Sequence, residues 1–208
     1  TYVKRGTLYS GVDNALPVES ELTVDTDGVF DRDGYSQTVA NAVIDGLVRN
    51  AGIYYTAGGL FTVTGTLSGS GRLNGDVLVN GVHAPGNSPG LQQFDGDLTY
   101  GSGAVINWEL TDNSAAQYTD PNIPEPWDRI LLLHSAVDPR SLTFSGSNVL
   151  SLSFAGAGSL VDWTNSFWDT NHLWTVFSVH NSDTTVGFSN LSLGGSLLDR
   201  NGLALDAS

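Results

Sequence analysis

The sequence predicts an all-β chain built as a β-solenoid, and three observations carry that expectation. In residues 58–90 (GGLFTVTGTLSGSGRLNGDVLVNGVHAPGNSPG), short runs of alternating apolar and polar residues are separated by single glycines or by Gly-Ser and Asn-Gly pairs. Phe61, Val63, Leu67, Leu73, Val77 and Val79 all carry odd numbers, so a period of two survives several turns without exchanging the inner and outer faces. No helical period interrupts them. Strands that pass through a corner and continue around one core behave in this way.

Composition bounds the function. The chain has 208 residues, enough for one well-buried domain or one elongated stack, and a formal charge of −14 from 8 Lys and Arg against 22 Asp and Glu. So few cations argue against nucleic acid, whose phosphates are held by clustered positive charge, and against an anionic membrane surface. Divalent cations, or basic segments of another chain, suit it better. Cysteine is absent, which excludes disulfides and thiolate metal sites. No stretch approaches the roughly 20 apolar residues that span a bilayer. Methionine is absent even at position 1, which points to a processed or trimmed product. Low ionic content with abundant Gly, Ser, Thr and Asn fits a secreted β-rich protein.

Taken in order, residues 1–9 (TYVKRGTLY) form a β-prone strand, within an N-terminal segment 1–17. Tyr2, Val3, Lys4, Arg5 and Leu8 are its assembly candidates. The strand either starts the first layer or reaches out as an arm to the edge of a neighbouring subunit. A body over residues 18–158 follows. Leu22 and Val24 alternate, and Asp-Gly steps at Asp27-Gly28 and Asp33-Gly34 mark turns. The cluster Asp25, Asp27, Asp31 and Asp33 invites calcium, the single cofactor candidate. It lacks the alternate ligands and twelfth-position Glu of an EF-hand loop, so solvated corner aspartates are the preferred reading and calcium the weaker one. Residues 39–48 could form a short helix, but their β-branched content and the glycines that follow favour strand.

The loop at residues 83–90 holds two Pro-Gly steps that a ladder would not accommodate, so it reads as a restricted corner. Alternation resumes at Phe94, Leu98 and Tyr100, then at Ile106, Trp108 and Leu110. Residues 111–127 contain three prolines without periodicity and read as a long loop. Residues 128–133, Leu142 with Phe144, and Leu150 with Leu152 and Phe154 make further strands. From residue 159 to 208 the chain becomes a C-terminal capping region, part of one structural unit with the body. Trp163, Phe167, Trp168 and Trp174 crowd its start, where bulky aromatics could plug an open end or stack on sugar rings.

Residues 60–110 resemble the autotransporter-associated β-strand repeat family. The resemblance rests on Gly65-Thr66-Leu67, Gly69-Ser70-Gly71, the Ala-Pro-Gly-Asn-Ser-Pro-Gly loop from Ala84 to Gly90, and the strand pair running from Asp95 to Leu110. Tyr35-Ser36-Gln37-Thr38-Val39 is similar to the start of a layer in such proteins, and Trp127-Asp128-Arg129-Ile130 to one of the family's strands. Val161-Asp162-Trp163, Phe167-Trp168-Asp169 and Trp174 are similar to the terminal region of secreted proteins that carry a PEP-CTERM sorting tail. The resemblance implies a right-handed parallel β-helix on the outside of a bacterial cell, secreted or surface-held, and no shared catalytic site.

The chemistry-bearing residues are dispersed. His83, His134, His172 and His180 lie on four segments without ligand or triad spacing, and His83 reads as solvent-facing beside the Pro-Gly corner. Glu109 should point outward between Trp108 and Leu110. Glycoside cleavage needs two carboxylates in one groove, and the turn aspartates do not suggest one. The expectation is therefore not an enzyme but a structural protein: a homo-oligomer or polymer formed through its ends and first strand, building a surface fibre, filament or matrix. An adhesin or module that binds extracellular polysaccharide through Trp163, Trp168 and Trp174 is the alternative, and a lyase or glycosidase a more distant one.

Overall fold

The structure, a computed structural model, describes residues 1–33, 35–49, 60–86, 89–113, 126–133, 139–154 and 160–194. Residues 51–59 and 114–125, His134, and Asn87 and Ser88 of the Pro-Gly loop lie outside the described residues. The strands are β1 (Tyr2–Tyr9), β2 (Glu21–Asp31), β3 (Gln37–Val39), β4 (Asn41–Ile44), β5 (Leu47–Arg49), β6 (Phe61–Val63) and β7 (Thr66–Gly69). They continue as β8 (Arg72–Asn74), β9 (Val77–Val79), β10 (Val82–Pro85), β11 (Leu91–Asp95), β12 (Leu98–Tyr100), β13 (Val105–Glu109) and β14 (Arg129–Leu132). The last are β15 (Ser141–Phe144), β16 (Asn148–Ser153), β17 (Phe177–Ser178), β18 (Thr184–Val186) and β19 (Leu191–Gly194). Helical structure among the described residues amounts to two 3-10 turns, Ser166–Asp169 and Phe188–Asn190. The all-β expectation holds.

The strands form one 13-stranded and one six-stranded sheet, every ladder parallel. From β3 onward each strand pairs with the third strand after it. The long β2 fills two places, with Glu21–Val24 against β4 and Val29–Asp31 against β5, and β1 lies along it in both places. Parallel register stacks like positions into columns. One inward column runs Leu22, Ala42, Leu67, His83, Ile106, Leu150, Leu193. A second runs Leu8, Phe30, Val48, Leu73, Phe94, Leu132. A third, in the smaller sheet, runs Val39, Val63, Val79, Tyr100, Phe144.

The odd-numbered apolar series of residues 61–79 is wholly buried, no member more than 1% exposed. Each such side chain contributes about 1.5–3 kcal/mol by leaving water. Short strands of this kind have little stability alone, and the columns supply it.

Glycines make the corners close enough to stack. A Cβ on Gly71 would lie 2.1 Å from the carbonyl oxygen of Gly46, and one on Gly46 would lie 2.2 Å from that of Asp25. Both obstacles are backbone and cannot swing away. Gly71→Ala should therefore lower stability by about 1–3 kcal/mol in urea unfolding. Gly11→Ala, where a Cβ meets nothing within 4 Å, should leave the midpoint unchanged. Equal midpoints for the two variants would refute a steric role for the corner glycines.

One expectation about the Pro-Gly corner needs correction. The ladder does not stop short of it: β10 runs to Pro85, which pairs with Gly69. On its other side β10 pairs with β13 only through Val82 and His83, so no ladder there requires the N–H that Pro85 lacks. The Gly86 N–H then donates to the Gly69 carbonyl at 2.8 Å.

Candidate functional site

The assembly candidates divide by face. Val3 is buried and Leu8 packs on the core, whereas Tyr2, Lys4 and Arg5 are exposed. The strand lies on β2 of its own chain, and its other edge carries no partner among the described residues. The neighbouring edge at this end, β3, is covered. Asn14 donates its N–H to the Ser36 carbonyl and accepts from Thr38 N, both at 2.8 Å. The buried Gln37 amide exchanges two bonds with the Leu16 backbone, each of 2.9 Å. The end is closed over the small sheet and open along β1.

The four aspartates are spread along β2 and the turn after it. Tyr2 OH donates to Asp25 at 2.6 Å, and Arg5 reaches Asp27 at 3.4 Å. Asp31 is buried and accepts the Asp33 N–H at 3.0 Å, closing the turn in which Asp33 adopts a φ of 46°. Among the described residues no three His, Asp or Glu side chains converge as a metal site requires.

The C-terminal tryptophans gather against the end of the core. Trp163 and Trp168 have ring centroids 4.4 Å apart, and Phe154 meets Trp163 edge-on at 5.2 Å. Trp174 lies 6.0 Å from the buried Trp108. The Trp168 indole N–H is shared between the Asn113 side chain and the Asp162 carbonyl, while Asn113 exchanges two further bonds with Asp162. Trp163, Trp168 and Trp174 are each half-buried, and Trp168 contacts both of the others, its ring tilted by 30° to Trp163 and by 41° to Trp174.

His83 is not solvent-facing as expected. It is fully buried, taking an aliphatic place in the first column. Its Nδ1 lies 2.6 Å from the Tyr100 hydroxyl and its Nε2 2.6 Å from Gln92 Oε1. Gln92 donates its amide N–H to the Ser68 carbonyl at 3.1 Å, which turns Oε1 toward the ring. The proton therefore sits on Nε2, and Tyr100 donates to Nδ1. Burial pushes the imidazole down to about 4, against the Gln92 bond, and pushes the Tyr100 hydroxyl up. Three successive strands, β10, β11 and β12, meet in this neutral network. Continuing the odd-number series from Val79 to position 83 would have found its burial.

Cations are drawn inward too. Arg32 is buried with its guanidinium 5.5 Å from the Phe61 ring centre, donates to the Asn74 carbonyl at 3.3 Å, and is lowered to about 10 by burial. Arg129 is 1% exposed. Asp95 receives Arg72, Arg140 at 3.1 Å and Asn74 at 3.1 Å. Burial opposes its charge, but these partners prevail and hold it below the usual carboxylate range.

One concavity of about 360 Å³ brings Glu109 and Asp128 together beside Ser68, Ala84, Pro85, Gly86 and Asn107. Glu109 does point away from the core. Asp128, 2% exposed, accepts Gly90 N–H at 2.9 Å and Glu109 N–H at 3.0 Å, one on each carboxyl oxygen. Burial pushes it up to about 7, the Glu109 charge adding to burial and the two N–H groups opposing. Both oxygens thus serve to tie the Pro-Gly corner to β13. Sequence reasoning missed this role because a carboxylate between Trp127 and Arg129 reads as surface.

Compared with known proteins, the chain matches no family model, no curated protein and no solved structure.

Proposed function

We propose that this chain is an extracellular structural protein, a right-handed parallel β-solenoid whose subunits associate end to end into a surface fibre, filament or matrix. The third-strand pairing from β3 onward supports a coil of three strands per turn. The resemblance of residues 60–110 to autotransporter-associated repeats supports the extracellular setting, as does a composition low in charged residues and rich in Gly, Ser, Thr and Asn.

The observation that carries the reading is where apolar surface and strand edges lie. Tyr2 (60% exposed), Tyr9, Val12 and Val18 belong to the first end, and Val186, Phe188 (62% exposed) and Leu193 to the last. Solenoid ends expose both core and unpaired backbone, and stacking copies would bury both. The carboxyl pair at Glu109 and Asp128 fits a structural reading, since Asp128 is spent on backbone N–H groups. Negative-stain electron microscopy and light scattering of the purified chain should show linear polymers that lengthen with concentration. A monodisperse monomer at the highest soluble concentration would end the reading.

A further inference from the structure

We infer the polarity and register of the joint: β17 of one copy pairs in parallel with β1 of the next, placing Ser178 opposite Thr7. This rests on the self-assembly reading above and adds which edges meet and how.

Three observations lead there. Among the described residues β1 is paired on one side only, and so is β17. At the first end β3 is already covered by Asn14 and Leu16, so β1 is the edge left to accept a strand. Within the chain, Thr7, Val29, Leu47, Arg72, Gln93, Leu131 and Ser178 occupy one register position of consecutive strands. Adding a copy without changing that register sets Ser178 on Thr7 and brings Val179 over Leu8.

Charge selects the direction. Lys4 and Arg5 are adjacent and exposed on β1, Arg5 lying 3.4 Å from Asp27 of β2, whereas Arg32 and Arg129 are buried and Arg72 is held by Asp95. Residues 160–194 contain Asp162, Asp169 and Asp183 and no Lys or Arg. Two β1 edges would set Lys4 and Arg5 of one copy against those of the other, while β1 against the last end sets them against a segment whose formal charges are all acidic. Such a contact is heterologous and does not close on itself, so it continues as a filament. A second copy is therefore the occupant of β1.

Cysteine cross-linking tests this cleanly because the chain has none of its own. In-register parallel neighbours lie about 5 Å apart, within the Cα spacing of roughly 4.4–6.8 Å that a disulfide spans. Within one chain Thr7 and Ser178 are six strand steps apart, about 29 Å, so no internal bond can form. Thr7→Cys/Ser178→Cys should give a covalent ladder on a non-reducing gel after mild oxidation. A mixture of the two single variants should give dimers only. Polymers by microscopy without that cross-link would overturn the register while leaving self-assembly standing. Efficient dimerisation of Thr7→Cys alone would overturn the polarity. Absence of polymers altogether would remove both.

Discussion

Trp108→Ala is expected to lower the stability of the chain by about 3–5 kcal/mol. The ring is 2% exposed and sits near the end of β13, opposite Leu152 of β16 in the parallel ladder. It packs edge-on against Phe154 at 6.0 Å, lies 6.0 Å from Trp174, and donates its indole N–H to the Asp128 carbonyl at 2.8 Å. Removing it opens a cavity under the tryptophan cluster and leaves a buried carbonyl without its donor. Urea unfolding should show the fall in midpoint, and near-ultraviolet circular dichroism should lose signal from the remaining tryptophans. Trp163→Ala is the comparison. That ring is half-buried and its contribution is chiefly aromatic contact, about 0.5–1.5 kcal/mol. If Trp163→Ala proved the more damaging variant, the cluster would be a folding unit of its own rather than an extension of the core.

What could be read from the sequence was the alternation. Phe61 to Val79 and Phe94 to Leu110 point inward as their numbering indicates, because in stacked strands a period of two maps directly onto burial. What could not be read was how layers pair. β13 pairs with β16, and β16 with β19, across long excursions, and nothing local to a strand records the distance to its partner. The polar interior was hidden for a different reason. Arg32, Arg129 and Asp128 look like surface residues, and each is acceptable inside only through its surroundings. For Arg32 these are the Phe61 ring and the Asn74 carbonyl, and for Asp128 the N–H groups of Gly90 and Glu109.

This inward traffic of cations bears on the proposed joint. Of the cations among the described residues, Arg32 and Arg129 are buried, Arg72 and Arg140 share Asp95, and Arg5 lies 3.4 Å from Asp27, which leaves Lys4 as the exposed cation of β1 outside these pairs. Finding Lys4 and Arg5 side by side on the open edge strand then carries more weight than it would on an ordinary mixed surface. Basic residues on an edge commonly discourage pairing. Against an acidic partner they discourage only the wrong pairing.

His83 and Asp128 should give this protein an acid response visible only when one of them is removed. His83 has a folded value of about 4 against 6.5 unfolded, so its contribution to stability is complete above pH 6.5 and is lost as pH falls toward 4. Asp128 runs the other way: with about 7 folded against 3.8 unfolded, its contribution is complete below pH 3.8 and is lost as pH rises through 7. Between pH 4 and 6.5 the unfolded chain carries a proton on His83 that the folded chain lacks. The folded chain carries one on Asp128 that the unfolded chain lacks, so the two slopes oppose. Asp128→Asn should uncover the histidine alone, with stability falling by about 1.4 kcal/mol per pH unit on acidification, roughly 3 kcal/mol across the window. His83→Gln should uncover the aspartate, and stability should rise as pH falls over the same range. Urea unfolding at several pH values between these limits measures both slopes. The salt-bridged Asp95, held below the usual carboxylate range, adds its own loss only as pH falls through that lower value. Parallel slopes in the two variants would show that neither group keeps its buried protonation state.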